Sequence, residues 1–165
     1  MQQSSLQYSF KRFSELTTQE FHTLAKLRVD VFVVEQACVY PEFDGYDAIV
    51  STVHVQALSS AGELVAYARL LCKDDNQEED DFNFAGKAVR IGRVVVAPRN
   101  RGTGVARELM ERIIEMLQKQ NVSAMELSAQ TYVVPFYESM GFAVQSDEYL
   151  EHGIPHKDMQ FNQAP

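Results

Sequence analysis

Apolar and polar residues partly alternate over residues 7–13, which predicts an opening strand. The period then lengthens. Phe21, Leu24, Ala25, Leu27, Val31 and Phe32 recur at helical spacing, and Thr17 with Glu20 three residues on forms a capping-box pattern, so a helix is predicted over 18–34. Residues 35–47 contain Pro41 and Asp44-Gly45 and read as a loop with turns. Two strands are predicted at 51–58 and 63–71, joined as a hairpin through Ser59-Ser60-Ala61-Gly62. A Val-rich strand at 89–96 stops at Pro98. An amphipathic helix follows, with Ala106, Leu109, Met110, Ile113 and Leu117 on one face. A short strand at 125–129 leads to a helix over 131–140, with Pro135 in its first turn and Gly141 at its end. Two strands, near 142–149 and 156–161, close the chain. The order β-α-β-β-β-α-β-α-β-β is that of an α/β protein with a mixed sheet, and the strand-helix-strand unit around 90–129 should be parallel and right-handed.

The 165 residues show no repeat and no linker, so one domain is expected over 1–165, with its core at about 7–161. Apolar residues make up 45% and charged residues 23%, which excludes a wholly disordered chain. Net charge is −8, but six acids sit in one run at 74–81; without it, 17 of the 23 acids stand against 15 bases. That run reads as a solvated loop. An acidic chain with no basic stripe argues against general nucleic-acid binding. No apolar run approaches the ~20 residues of a membrane span, and no secretory signal is visible, so the expected location is the cytoplasm. Cys38 and Cys72 lie far apart and are expected to be reduced thiols; no metal site is expected.

The segment Arg99-Asn100-Arg101-Gly102-Thr103-Gly104 joins the Val-rich strand to the amphipathic helix. Such a junction offers free backbone N–H groups and the positive end of a helix dipole, about +0.5 charge. Glycines let a phosphate approach the backbone, and arginines add charge-assisted donors. Neither G-x-G-x-x-G nor a P-loop is present. The turn suits a pyrophosphate, but not that of NAD or ATP; a purely structural tight turn is the alternative.

Val94-Val95-Val96-Ala97-Pro98 followed by R-x-x-G-x-G at 99–104 resembles the acetyl-CoA motif of the GNAT acyltransferases. Phe136-Tyr137-Glu138-Ser139-Met140-Gly141-Phe142 resembles that family's F-Y-E-x-x-G-F segment, at the usual separation. The ElaA-like branch is resembled more closely still, through residues 28–36, 40–45, 66–71 and 153–156.

The resemblance implies the GNAT fold, a central mixed, mostly antiparallel sheet flanked by helices. It also implies N-acetyl transfer from acetyl-CoA, as cosubstrate, to a primary amine of a small molecule or peptide. In the family the motif strand splays from its neighbour. Within Val94-Val95-Val96, the main chain of Val94 and Val96 would bind pantetheine. Arg99 would add charge, and Arg101, Gly102, Thr103, Gly104, Val105 and Ala106 would wrap the pyrophosphate. Gln130 stands where the family often has Asn, seven residues before the tyrosine; with Tyr137 it would complete the cofactor contacts, and Phe136 would either support the pantetheine or pack the core. Tyr137 would be the general acid for the departing thiolate. The resemblance allows a homodimer; on charge and hydropathy, neither nucleic acid nor membrane is an expected partner.

A lysine-like amine of pKa ~10.4 is mostly protonated at pH 7, a deficit of about 4.6 kcal/mol, so such an acceptor needs a base. Glu35, at the end of the first helix, and His156, after Pro155, are candidates for a base or an acceptor-site group, each with a structural alternative; His54, in a strand, is a weaker candidate, and a water-mediated route stands equally open. The acids Glu35, Glu42, Asp44 and Asp47, with Glu151, are read either as turn carboxylates facing water or as a surface for a cationic acceptor. Arg69 and Arg93, on apolar strands, are read as partnered structural arginines or as a grip on an acceptor carboxylate. The alternative to an enzyme is a catalytically silent CoA-binding sensor or interaction module.

Overall fold

The computed structural model describes residues 5–73 and 83–162; the acidic run at 74–81 lies outside the described residues. The strands are β1 (Gln7–Arg12), β2 (Val53–Leu58), β3 (Leu64–Cys72), β4 (Ala88–Val96), β5 (Ala124–Gln130), β6 (Phe142–Val144), β7 (Tyr149–Glu151) and β8 (Ile154–Phe161). The helices are α1 (Thr18–Arg28), α2 (Val105–Lys119) and α3 (Val134–Glu138). One eight-stranded sheet runs β1-β2-β3-β4-β5-β8-β6, with β7 also on β8. Among the described residues, only the β4–β5 pairing is parallel. The mixed, mostly antiparallel sheet is as expected, as is the parallel β4–α2–β5 unit.

Each sheet face is buried by a helix whose pattern predicts it. Leu109, Met110, Ile113 and Leu117 of α2 are fully buried with Val55, Leu70, Val89, Ile91, Met125 and Leu127 of the sheet. On the other face, Leu24, Leu27 and Val31 cluster with Leu64, Tyr67, Val95 and Ala97. At about 1.5–3 kcal/mol per large apolar side chain buried, both helices dock firmly.

Three elements differ from the pattern. The first helix is α-helical only to Arg28 and continues as a π-helical segment, Val29–Glu35, with Gln36 N–H donating to Val31 O at 3.0 Å. Val29, Val31, Val33 and Val34 are β-branched and crowd an α-helical turn. The 131–140 helix is a 3₁₀ turn, Thr131–Val133, followed by α3. The strand predicted at 142–149 is two strands. Ser146 leaves the ladder between them, its hydroxyl accepting from Asp158 N–H at 2.9 Å. β7 then turns into β8 through His152 (φ +50°) and Gly153 (φ +78°). Those left-handed angles close a two-residue hairpin.

The loop after the π segment is tied down by charge. Arg28, with no exposed surface, donates to Glu42 Oε1 (2.7 Å) and Asp47 Oδ1 (2.6 Å). Arg69 bonds Asp44 through both Nη groups (2.9 and 2.8 Å) and reaches Asp47 at 3.2 Å. Arg93 bonds Glu42 Oε1 at 3.0 Å and Asp44 Oδ2 at 3.3 Å. Burial alone would raise the Asp47 carboxyl, but Arg28 and then Arg69 outweigh it and hold the pKa below the usual range. Asp44 is likewise raised by burial and held low overall by Arg69.

Replacing Arg28 by Met strands buried carboxylates and should destabilise the fold by about 3–5 kcal/mol at pH 7. Because Asp44 and Asp47 titrate lower when folded than unfolded, their contribution is complete above about pH 4 and is lost as pH falls through the folded values. Urea midpoints from pH 7 to 3 should therefore fall more steeply in wild type than in Asp47→Asn. Parallel profiles would contradict this.

Candidate active site

β4 and β5 pair only from Ala88 to Arg90 against Ala124 to Glu126. Beyond that they part. β4 stays on β3, and β5 stays on β8. The parting coincides with a bulge in β4. Arg69 faces Gly92 while Tyr67 faces Val95, so β4 carries one extra residue, and Arg93 there takes a left-handed φ of +51°. A cleft of about 1070 Å³ opens between the strands.

The main chain of β4 alternates between β3 and this cleft. Ala97 N–H donates to Val65 O at 2.8 Å, so Ala97 and Val95 face β3, while Val94 and Val96 face the opening. Their N–H and C=O groups form an edge ready to pair with an extended amide-bearing chain. The edge runs into the turn before α2. Gly102 (φ +74°) and Gly104 (φ +84°) are left-handed, and an added Cβ at either would meet nothing within 4 Å. The first turn of α2, from Val105 and Ala106, leaves N–H groups without intrahelical partners. Thr103 is exposed, its hydroxyl donating to Asn100 O at 2.5 Å. Arg99 is exposed and 3.3 Å from Glu63.

Arg101 bonds Glu35 through two contacts, 2.6 and 3.0 Å. This bond with Arg101 holds the Glu35 carboxyl below its usual range. Glu35 is thus the counter-ion of the turn in this structure, with its proton-accepting oxygens engaged.

Tyr137 lies at the cleft wall, 8% exposed, between Phe136 (5.1 Å between ring centroids) and Phe142 (5.9 Å). Burial pushes its phenol up to about 12. Phe136 also lines the cleft, packs against the core and carries Arg107 over its ring at 5.5 Å. Gln130 ends β5 and donates to Gln36 Oε1 at 3.2 Å across the cleft.

At the other end, His156 sits opposite Gln130 in the β5–β8 ladder and opposite Tyr149 in the β7–β8 ladder. Its Nδ1 is 2.7 Å from Ile154 O and its Nε2 3.5 Å from Glu151 Oε2. The Tyr149 hydroxyl is bonded to Ser128 and donates to Asp158 at 2.7 Å. Sequence reasoning did not find Ser128, Tyr149 and Asp158; Gly153 after His152 was the available sign of the hairpin that gathers them. The Tyr40 and His152 rings stack at 4.7 Å, joining that hairpin to the 36–48 loop. Cys38, buried, and Cys72 are free thiols.

The expectation that the acids of 35–47 receive a cationic acceptor is not met: Glu35, Glu42, Asp44 and Asp47 are all neutralised by Arg28, Arg69, Arg93 and Arg101. Arg69 and Arg93 are the partnered arginines of that network. His54, a weaker base candidate, is fully buried between the Tyr67 hydroxyl and Asp47 O.

Residues 26–163 match the model of the acetyltransferase (GNAT) domain. A UPF0039 protein of Schizosaccharomyces pombe is 41% identical over 160 residues, 95% of this chain and 97% of that one. The crystal structure of an acyl-CoA N-acyltransferase from Pseudomonas aeruginosa superposes with a TM-score of 0.81 at 38% identity, covering 96% of this chain and all (100%) of that one. Escherichia coli ElaA superposes with a TM-score of 0.81 at 34% identity, with the same coverage of 96% and 100%. A parted pair of strands running into a glycine turn, in a chain this close to ElaA throughout its length, belongs to the ElaA-like branch of the GNAT acetyltransferase family.

Proposed function

We propose that this protein transfers the acetyl group of acetyl-CoA to a primary amine of a small-molecule or peptide acceptor. The observation that carries the reading is the unpaired edge of β4, which leads straight into the open, N–H-rich turn at the head of α2. The edge fits the two amides of a pantetheine arm, and the turn fits a pyrophosphate. Val94 and Val96 bind the arm through their main chain, with Val95 buried behind them. Arg101, Gly102, Thr103, Gly104, Val105 and Ala106 hold the phosphates, with Arg99 beside them. Gln130 and Phe136 border the arm's inner end. Bound there, the cosubstrate supplies an acyl thioester.

Tyr137 is the general acid. Burial keeps its phenol protonated at neutral pH and leaves it at about 12. The departing thiolate resembles a thiol of pKa about 8.5, below that of the raised phenol, so complete transfer is uphill. The hydroxyl therefore acts largely as a strong hydrogen-bond donor to the developing charge. Tyr137→Phe keeps the ring and its packing, and should lower turnover by about 10²–10⁴-fold with acetyl-CoA affinity and melting temperature little changed. A fall under about threefold, with chemistry shown to be rate-limiting, would remove Tyr137 from that role.

Titration calorimetry with acetyl-CoA tests the binding half. Gly104→Glu puts a carboxylate where the pyrophosphate would lie and should abolish measurable binding. Gly104→Ala carries the same left-handed backbone strain without the charge, about 1–2 kcal/mol, and should bind. Unchanged affinity in a folded Gly104→Glu would make the turn structural only. Binding without amine-dependent thiol release would favour a silent CoA-binding module.

A further inference from the structure

We propose that His156 is the general base that deprotonates the acceptor amine, working against the carboxylate of Glu151; this rests on the acetyl-transfer reading above.

The geometry fixes the tautomer. Nδ1 lies 2.7 Å from Ile154 O. A carbonyl oxygen only accepts, so in the neutral ring Nδ1 carries the hydrogen and Nε2 keeps its lone pair. Nε2 is 3.5 Å from Glu151 Oε2. A proton taken up on Nε2 therefore has a carboxylate oxygen beside it to pass to. The ring is also held in place. It stacks on Tyr149 at 6.2 Å and 23° between planes, and Tyr149 is itself fixed by Ser128 and Asp158. Such a group, oriented through Nδ1 and with a carboxylate 3.5 Å from Nε2 to relay the proton onward, is what base catalysis requires.

Its position fits as well. His156 faces Gln130 across the ladder, at the end of β5 from which the chain runs on to α3 and Tyr137. Both rings line the same cleft. The charged and titratable groups around it are Glu151 and Tyr149 on β7 and Asp158 on β8, with Arg90 of β4 4.0 Å from Asp158 and Tyr40 and His152 at the hairpin tip. The rival carboxylates are engaged elsewhere. Glu35 holds Arg101, Asp44 holds Arg69 and Arg93, and Asp158 accepts from the Tyr149 hydroxyl.

His156 takes one proton from the acceptor ammonium and so frees the nitrogen lone pair. The nitrogen bonds the acetyl carbon, the carbon–sulfur bond breaks, and sulfur leaves with the bond pair and takes the Tyr137 proton. The nitrogen's second proton returns to the Tyr137 oxygen, and His156 releases its proton to solvent past Glu151. The products are the amide and the free thiol.

The test compares wild type and His156→Asn on alkylamines and on alkoxyamines of matched chain length. Asn retains an N–H toward Ile154 O and lacks the basic nitrogen. An alkylamine is almost wholly protonated at pH 7, whereas an alkoxyamine is almost wholly neutral and needs no base before attack. His156→Asn should lower kcat/KM for alkylamines by about 10²-fold or more, and for alkoxyamines by less than about threefold. Glu151→Gln should show the same selectivity, more weakly. Equal losses on both amine classes would make His156 structural and overturn the proposal while leaving acetyl transfer intact. If wild type binds acetyl-CoA in calorimetry but releases thiol with neither class, the transfer reading fails and the base falls with it.

Discussion

The parting of β4 from β5 is the constraint on which the rest of the molecule depends. A continuous parallel ladder would leave no free backbone edge and no cleft. The ladder instead stops at Arg90, and the bulge at Arg93 turns β4 away. Holding a non-glycine residue at φ +51° costs about 1–2 kcal/mol. The Arg93 side chain is anchored on Glu42 and Asp44, so the strained backbone is held from outside the strand. The network of Arg28, Arg69 and Arg93 with Glu42, Asp44 and Asp47 thus serves the site: it fixes the 36–48 loop as one wall of the cleft and the bulge as its hinge point.

The two ends of the cleft are built from different materials. At the α2 end, the groups are main-chain N–H donors and arginines, which suit a polyanion. Glu35 neutralises Arg101 there, and a phosphate would have to displace it. At the β7–β8 end, the groups are hydroxyls, carboxylates and an oriented imidazole, which suit proton traffic. Tyr137 stands on the wall between them, kept protonated by burial. One sheet presents both ends because β4 leads directly into the turn, while β5 pairs with the strand carrying His156.

Much of this was legible where the signal is local. The strand-turn-helix at 89–117 shows itself in a valine run, a proline, two glycines and a helical stripe, whereas Tyr137 was marked only by the resemblance of residues 136–142 to the family's segment. The ion network was not legible. Its partners lie 14 to 51 residues apart, and a sequence shows charges without showing which of them meet. The acids of the 35–47 loop consequently read as an acceptor surface, although the fold pairs each of them with an arginine and buries Glu42 and Asp47. The Arg93 bulge left no mark because its cause is tertiary. The β7–β8 hairpin was hidden because Ser146 interrupts what reads as one strand, so Ser128, Tyr149 and Asp158 were never placed together.

Amide hydrogen exchange by NMR, with and without saturating acetyl-CoA, tests the central claim most directly. The Val94 and Val96 amides face the cleft, whereas Val95 faces β3. Bound pantetheine pairing as an added strand should slow exchange at Val94 and Val96, and in the 102–106 turn, and leave Val95 little changed. Saturation with no added protection at Val94 and Val96 would contradict the account, because the cosubstrate would then bind without using the edge that the parted strands leave free.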